Sequence, residues 1–239
     1  MHPALRGDHH VHSTFSDDAV STLAENVAAA HAAGLTELRL VDHVRRDTTW
    51  VPEFLAAVAG LEVPDGLVVR TGVEAKILDA AGGLDIPADL AGVDRILMAD
   101  HQFPGTDGPW SPAATVERLA QGLAPDDALD LLISGLVGAM RRHPGNQLAH
   151  CFSILPKVGL SEESLGAERL AEWAGVAAAT GTAVEVNEKW ACPGPQALAA
   201  AHAAGVELVA STDSHVASDV GRYERVIPLL AGLDDEGAV

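Results

Sequence analysis

Seven short apolar runs recur along this chain, and most of them end at or beside a histidine or a carboxylate. The runs are Leu5–His10, Glu37–Asp42, Leu67–Gly72, Asp94–Met98, Gln147–Cys151, Thr182–Val186 and Val206–Ser211. Each has the length of a buried strand. Between them lie alanine-rich or amphipathic stretches of helical type: Ser21–Ala33, Pro52–Gly60, Pro112–Gly122, Asp126–Arg142, Ser161–Thr180 and Pro195–Ala204. Pro52, Pro112 and Pro195 suit a first helical turn, and Gly34, Gly181 and Gly205 suit a helix stop. Strand then helix, repeated about seven times, specifies an α/β fold with a parallel sheet.

The polar residues choose between an open sheet and a closed one. His10, Asp42-His43, Glu74, His101, His150, Glu185 and Asp213 all fall near the C-terminal ends of the runs. A closed barrel brings every such end to one face, whereas an open sheet gathers only some of them. A barrel is therefore expected, and no linker, low-complexity tract or repeat divides the chain. Gln102–Pro112, with several glycines and prolines, reads as a mobile loop beside the site.

Imidazoles and carboxylates suit divalent zinc, manganese or iron. His10 and His12 are one residue apart at a strand end, and the strand period of two puts both rings on one side. The same alternation turns His9 the other way. More candidate ligands than one ion can use imply a cluster of two or three ions. A cluster with open positions points to hydrolysis, most often of a phosphate ester. Asp17 and Asp18 follow in the next loop, where Asp18 could equally cap the helix. His2, His31, His143 and His202 read as surface or packing residues. Asp8 could orient a ligand or cap local backbone. Glu185 and Asn187 share a strand face, with either a supporting role at the site or a part in closing the barrel.

Charge narrows the partner. The chain has 239 residues, with 34 acidic against 15 basic and a net charge of −19. Such a surface does not favour long nucleic acid. An anionic substrate would need local positive charge, from metals and from Arg45, Arg46, Lys76, Lys157, Lys189 and Arg222, all within a few residues of proposed site positions. Singly, each of these bases could equally be a solvated surface group. Apolar residues make up 48% and aromatics 4%, so Ala, Val and Leu must fill the core. Two cysteines imply no disulfide framework and a reducing compartment; Cys151 reads as a packed thiol. With no signal peptide and no apolar run of spanning length, a cytoplasmic protein without a membrane partner is expected. The oligomeric state is open.

Taken in order, the motifs resemble those of the PHP (polymerase and histidinol phosphatase) superfamily. Asp8-His9-His10-Val11-His12 through Asp18 looks like its first motif and Val41-Asp42-His43 its second. Glu74 in Gly72-Val73-Glu74 resembles its metal-bridging carboxylate. His101 and His150 match its later histidines, and Ser211-Thr212-Asp213-Ser214-His215 resembles its closing motif. The resemblance implies a distorted (βα)7 TIM-like barrel, a single domain over residues 1–239, with up to three metals. Carried over, it puts one ion on His10, His12, Glu74 and Asp213, and a second on Glu74, His101 and His150. A third falls on His43 and His215 with a ligand from the first loop, Asp17 in preference to Asp18.

The expected activity is hydrolysis of a small phosphomonoester, histidinol phosphate being the leading candidate, by a metal-activated water. Glu74, Asp213 and His215 are the expected catalytic residues, Asp213 or His215 protonating the leaving alkoxide. Arg45, Lys76, Lys157, Lys189 and Arg222 are the expected substrate-binding residues. A phosphodiesterase or exonuclease on short oligonucleotides, a hydrolase of a non-phosphate bond and a non-catalytic accessory domain are the alternatives.

Overall fold

The apolar runs become strands, and their order in the sheet follows their order in the chain. The computed structural model describes residues 2–236. In sequence order the elements are β1 (Gly7–Val11), α1 (Leu23–Ala32), β2 (Glu37–Val44), α2 (Val51–Ala59), β3 (Val68–Lys76), β4 (Arg95–Ala99), β5 (Phe103–Pro104), β6 (Pro109–Trp110), α3 (Pro112–Ala120), α4 (Pro125–Arg142), β7 (Gln147–Ala149), α5 (Gly166–Thr180), β8 (Ala183–Asn187), α6 (Pro195–Ala203), β9 (Leu208–Ser211) and α7 (Val226–Glu236). Seven strands pair in parallel in the order β1-β2-β3-β4-β7-β8-β9, and helices cover them. This is the nearly closed α/β barrel that the alternation requires.

Closure falls to the seam between β1 and β9. Val11 bridges Ser214 in parallel, and the His12 amide donates to the Ser214 carbonyl at 2.8 Å. The buried Asp8 carboxylate then clamps the seam. It accepts from the Thr212 amide at 2.9 Å, the Thr212 hydroxyl at 2.6 Å and the Gly221 amide at 3.0 Å. The Tyr223 hydroxyl donates to the Gly7 carbonyl at 2.6 Å. A buried carboxylate is tolerated because three donors replace its water. Burial still pushes it up to about 6, against the pull of those hydrogen bonds.

Helix ends follow sequence chemistry. Thr22 and Glu25 form a reciprocal capping box at α1, Ser111 caps α3 ahead of Pro112, and Gly181 ends α5 in the left-handed region, as such residues do. The main core lies between sheet and helices and is built largely from Val, Leu and Ala, with Trp173 its largest fully buried side chain. Each fully buried Leu or Phe there contributes about 1.5–3 kcal/mol. Val41, Leu97, Ala99 and Ala149 form a separate small cluster. Gly138 lets the loop after β3 dock on α4: a Cβ there would meet the Ala81 carbonyl at 2.5 Å.

Three sequence expectations change. First, β1 carries a register shift between Asp8 and Val11. An extra residue of this kind is a bulge, which breaks strict alternation. His9 is therefore not simply turned to the far side; it is buried, with its Nδ1 3.9 Å from Glu37. Second, Gln102–Pro112 contains a short antiparallel hairpin, β5 with β6. Phe103 and Trp110 stack with ring centroids 6.0 Å apart and anchor it to the core. Third, Ser161–Thr180 splits into a 3-10 turn at Glu162–Leu165 and then α5. Among the described residues, no helix is long and apolar enough to cross a membrane.

Candidate metal centre

The C-terminal ends of the strands converge as expected. β3 delivers Glu74, a fully buried carboxylate surrounded by five imidazoles. Its Oε1 lies 3.0 Å from His101 Nε2 and 2.9 Å from His150 Nε2. Its Oε2 lies 3.4 Å from His10 Nε2, 3.6 Å from His12 Nε2 and 2.8 Å from His43 Nδ1. Each carboxylate oxygen thus faces its own group of ring nitrogens, which is what a bridging ligand needs.

The far nitrogens of three of these rings are tied down. His10 Nδ1 donates to Glu185 at 3.0 Å. His12 Nδ1 faces the Ser16 hydroxyl at 3.3 Å. That hydroxyl donates to Asp42 at 2.6 Å and accepts from the His43 amide at 3.0 Å. His150 Nδ1 faces Asp100 at 3.4 Å and Ser153 Oγ at 3.1 Å. A hydrogen bond from Nδ1 leaves Nε2 as a lone pair, the form that ligates metals. Asp42 also takes the Ser13 amide and hydroxyl, so it fixes the first loop and does not face the cluster.

The inward atoms satisfy one another only in part: His150 Nε2 bonds Glu74 Oε1 at 2.9 Å, but others are crowded together. His10 Nε2 and His12 Nε2 face each other at 2.9 Å, and His12 Nε2 also lies 3.4 Å from Asp213. Glu74 Oε2 is buried without a hydrogen bond despite three nearby nitrogens. Acceptors pointed at acceptors in a buried site are costly unless a cation sits among them. Three sets of ligand atoms lie close enough to share an ion: His10, His12 and Asp213; His43, Glu74 and His101; His12, His43 and His215. The residues present fit divalent metal ions.

Without such ions, protons must balance the charge. Burial disfavours charge on His10, but the Glu185 and Glu74 carboxylates override it and hold the ring well above the imidazole range. Burial also opposes protonation of His150, yet Asp100 and Glu74 raise it to about 10. His43 is raised against burial by Glu74 and Asp18. His12 is pushed down to about 3, chiefly by burial. Glu74 and Asp213 are held below the carboxylate range although burial opposes it, Glu74 by His101 and His10, Asp213 by His12 and the charges on His10 and His150.

The first loop brings Asp18, rather than Asp17, to the outer corner. Asp18 Oδ2 lies 3.5 Å from His43 Nε2 and 3.2 Å from His215 Nε2. Asp17 lines the same cavity but has no such contact. His43 differs from its expected place too, reaching both Glu74 and Asp18. Backbone conformation is special at two positions: His150 and Asp213 have φ of 30° and 52°, a region L-residues rarely occupy.

A cavity of about 380 Å³ opens over these groups, lined also by Arg45, Lys76 and Lys189. Lys189 Nζ lies 3.3 Å from His215 Nδ1 and 3.6 Å from Asp213. Lys157 and Arg222 do not line it. Lys157 borders a neighbouring cavity behind Trp190, and Arg222 borders another, of about 360 Å³, beside Asp213 and His215. Two partners escaped the sequence reading. Trp190 donates its indole N–H to Asp213 at 2.9 Å, and Gln147 donates to Glu185 at 3.1 Å. Nothing in spacing or composition signals either contact.

Comparison with known proteins gives the family. The PHP domain family model matches residues 8–189. A probable phosphatase of Acetivibrio thermocellus is 28% identical, over 95% of this chain and 86% of its own. One of Shewanella sp. strain MR-4 is 26% identical over 95% and 83%, and one of Shewanella piezotolerans 29% over 95% and 84%. The fold is shared with the crystal structure of a histidinol phosphate phosphatase from Lactococcus lactis complexed with zinc, L-histidinol and phosphate. The TM-score is 0.68 at 18% identity, covering 97% of this chain and 93% of that one.

Proposed function

This chain belongs to the PHP domain family, and on that premise we propose that it is a metal-dependent phosphatase of small phosphomonoesters. The relatives named probable phosphatases support this reading across nearly the whole chain. The observation that carries it is Glu74, whose two oxygens face two groups of ring nitrogens beneath a cavity whose lining includes Arg45, Lys76 and Lys189. We assign His10, His12, Glu74, His101, His150 and Asp213 to two ions. His43, His215 and Asp18 form a third corner, with Asp18 replacing Asp17 on the distances above.

Divalent ions at this place lower the pKa of water and neutralise charge on phosphoryl oxygens. The residues do the rest. Arg45, Lys76 and Lys189 line the cavity and bind the phosphate oxygens. Glu185, Asp100 and Ser16 hold the histidine rings in one tautomer. Asp213 is ionised, so it cannot supply a proton to the leaving alkoxide. His215 and Lys189, at the cavity wall, are the groups placed to deliver one.

The Lactococcus lactis neighbour binds L-histidinol and phosphate, which makes histidinol phosphate the first ester to try. The test is a panel of phosphomonoesters, phosphodiesters and oligonucleotides, assayed with zinc, manganese and iron and after chelation. Phosphomonoesters should be hydrolysed fastest, and chelation should abolish turnover. Turnover of diesters alone, or full activity after chelation, would refute the assignment.

A further inference from the structure

Behind the metal centre lies a second, larger cavity of about 700 Å³. It shares Lys189 and Trp190 with the first, so the two are neighbours across one wall. Trp190 forms the partition. Its indole N–H is fixed on Asp213, and its ring carries the Lys157 ammonium 3.8 Å from the centroid. Phe152, Pro156, Leu160 and Cys192 supply apolar lining.

The charges are unevenly spent. Glu162, the half-buried acid of this cavity, accepts the Gly194 amide at 2.7 Å and also engages the Ala197 backbone, so it serves the start of α6. Glu163 is exposed. Among the described residues, neither the Lys157 ammonium nor the Arg225 guanidinium forms an ion pair with a carboxylate, although the chain carries a net charge of −19; Glu188 accepts the Arg225 backbone amide at 2.8 Å and not its side chain. The Arg225 guanidinium donates only to the Lys189 carbonyl, at 3.1 Å. Two cations without ion-pair partners, on an acidic protein, face the cavity that adjoins the reacting phosphate.

Resting on the phosphatase reading above, we propose that this second cavity receives the leaving alcohol of the substrate, and that this alcohol bears an anionic group of its own, bound by Lys157 and Arg225. Trp190 is a positioning residue: it sets one wall of the cavity and orients Asp213. The preferred substrate is then a phosphorylated hydroxy acid or a bisphosphate, ahead of histidinol phosphate and every other amino-alcohol phosphate.

Four esters with the same leaving oxygen separate the possibilities: glucose 6-phosphate, 6-phosphogluconate, glucose 1,6-bisphosphate and glucosamine 6-phosphate. At least one of the two doubly anionic esters should exceed glucose 6-phosphate in kcat/KM by about tenfold or more, the scale of a charge-assisted contact, and glucosamine 6-phosphate should be slowest. Which one leads tells carboxylate from second phosphate. Arg225→Gln and Lys157→Gln should each cut that preference severalfold through KM. Equal rates on all four, or a preference untouched by both substitutions, would overturn the proposal while leaving the phosphatase reading intact. If no ester is turned over, the phosphatase reading fails instead. The cavity is then judged by binding alone: gluconate, but not sorbitol, should quench tryptophan fluorescence, and Trp190→Phe should remove the change. No quenching by gluconate would overturn it.

Discussion

The two mouths of this barrel each hold buried charge, Arg39 at one and Glu74 at the other, yet they are built on opposite principles. At the N-terminal mouth, cations meet acceptors. Arg39 donates to the Thr71 carbonyl at 2.9 Å, Arg95 pairs with Glu207 at 2.9 Å, and Asp94 accepts the Thr71 amide at 2.8 Å. The Asn146 side chain accepts the Ile96 amide at 2.7 Å. At the C-terminal mouth, acceptors meet acceptors, and the oxygens left over are Glu74 Oε2 and Asp100 Oδ2. The first arrangement pairs its charges within the protein and leaves over a donor, Arg39 Nε, rather than a carboxylate oxygen. The second is complete only with protons or metal ions. Charge and burial do not distinguish a functional face from a structural one; donor and acceptor bookkeeping does.

The largest expected effect is at Glu74. Glu74→Gln keeps size but loses one acceptor and the charge, so turnover should fall by roughly two to three orders of magnitude or more. Metal content should fall with it while the thermal transition persists. Wild-type turnover with full metal would erase the contrast between the mouths.

Next comes pH. In the metal-free protein His10, His43 and His150 are raised, His150 to about 10. His10 and His150 carry protons at neutral pH, and metal ions must displace those protons. Affinity should therefore drop as pH falls, by about tenfold per pH unit for each proton released. Calorimetry in buffers of different ionisation enthalpy counts the protons. No release between pH 6 and 8 would contradict the reading.

A smaller effect belongs to Glu185, which touches His10 and not the reacting centre. Glu185→Gln should weaken metal binding by about 10- to 100-fold, measured by competition with a chelating dye. An unchanged affinity would mean that the His10 ring is held by packing alone. At the other mouth, Arg39→Met should cost stability of about 1–3 kcal/mol, because the Thr71 carbonyl loses its donor. Turnover should stay within about twofold, as for a face that serves stability. A large loss of activity there would break the division of labour between the two ends.

Much of this was legible in the chain. The alternation of strand and helix, and the placement of His10, His12, Glu74, His150 and Asp213 near strand ends, depend on local periodicity, which sequence displays directly. The β1 bulge was not legible, because an inserted residue leaves no mark when both flanking residues are apolar or imidazole. Asp18 could not be separated from Asp17, since loop geometry decides between neighbours. Trp190 and Arg225 were missed for another reason. Their roles come from the side chains packed beside them, and Trp190 meets Asp213 across 23 positions. The last helix, α7, also went unassigned.

The seam between β1 and β9 has a consequence in time. Asp8 and Thr212 are 204 positions apart, so their contact closes a loop of nearly the whole chain and is expected to form late. His10 and His12 stand on one side of that seam and Asp213 on the other. A nascent chain that has emerged as far as β8 already carries five of the histidines, but it has no finished pocket to arrange them. Capture of metal would thus coincide with completion of the barrel, and a loaded site would certify that the first and last strands had met.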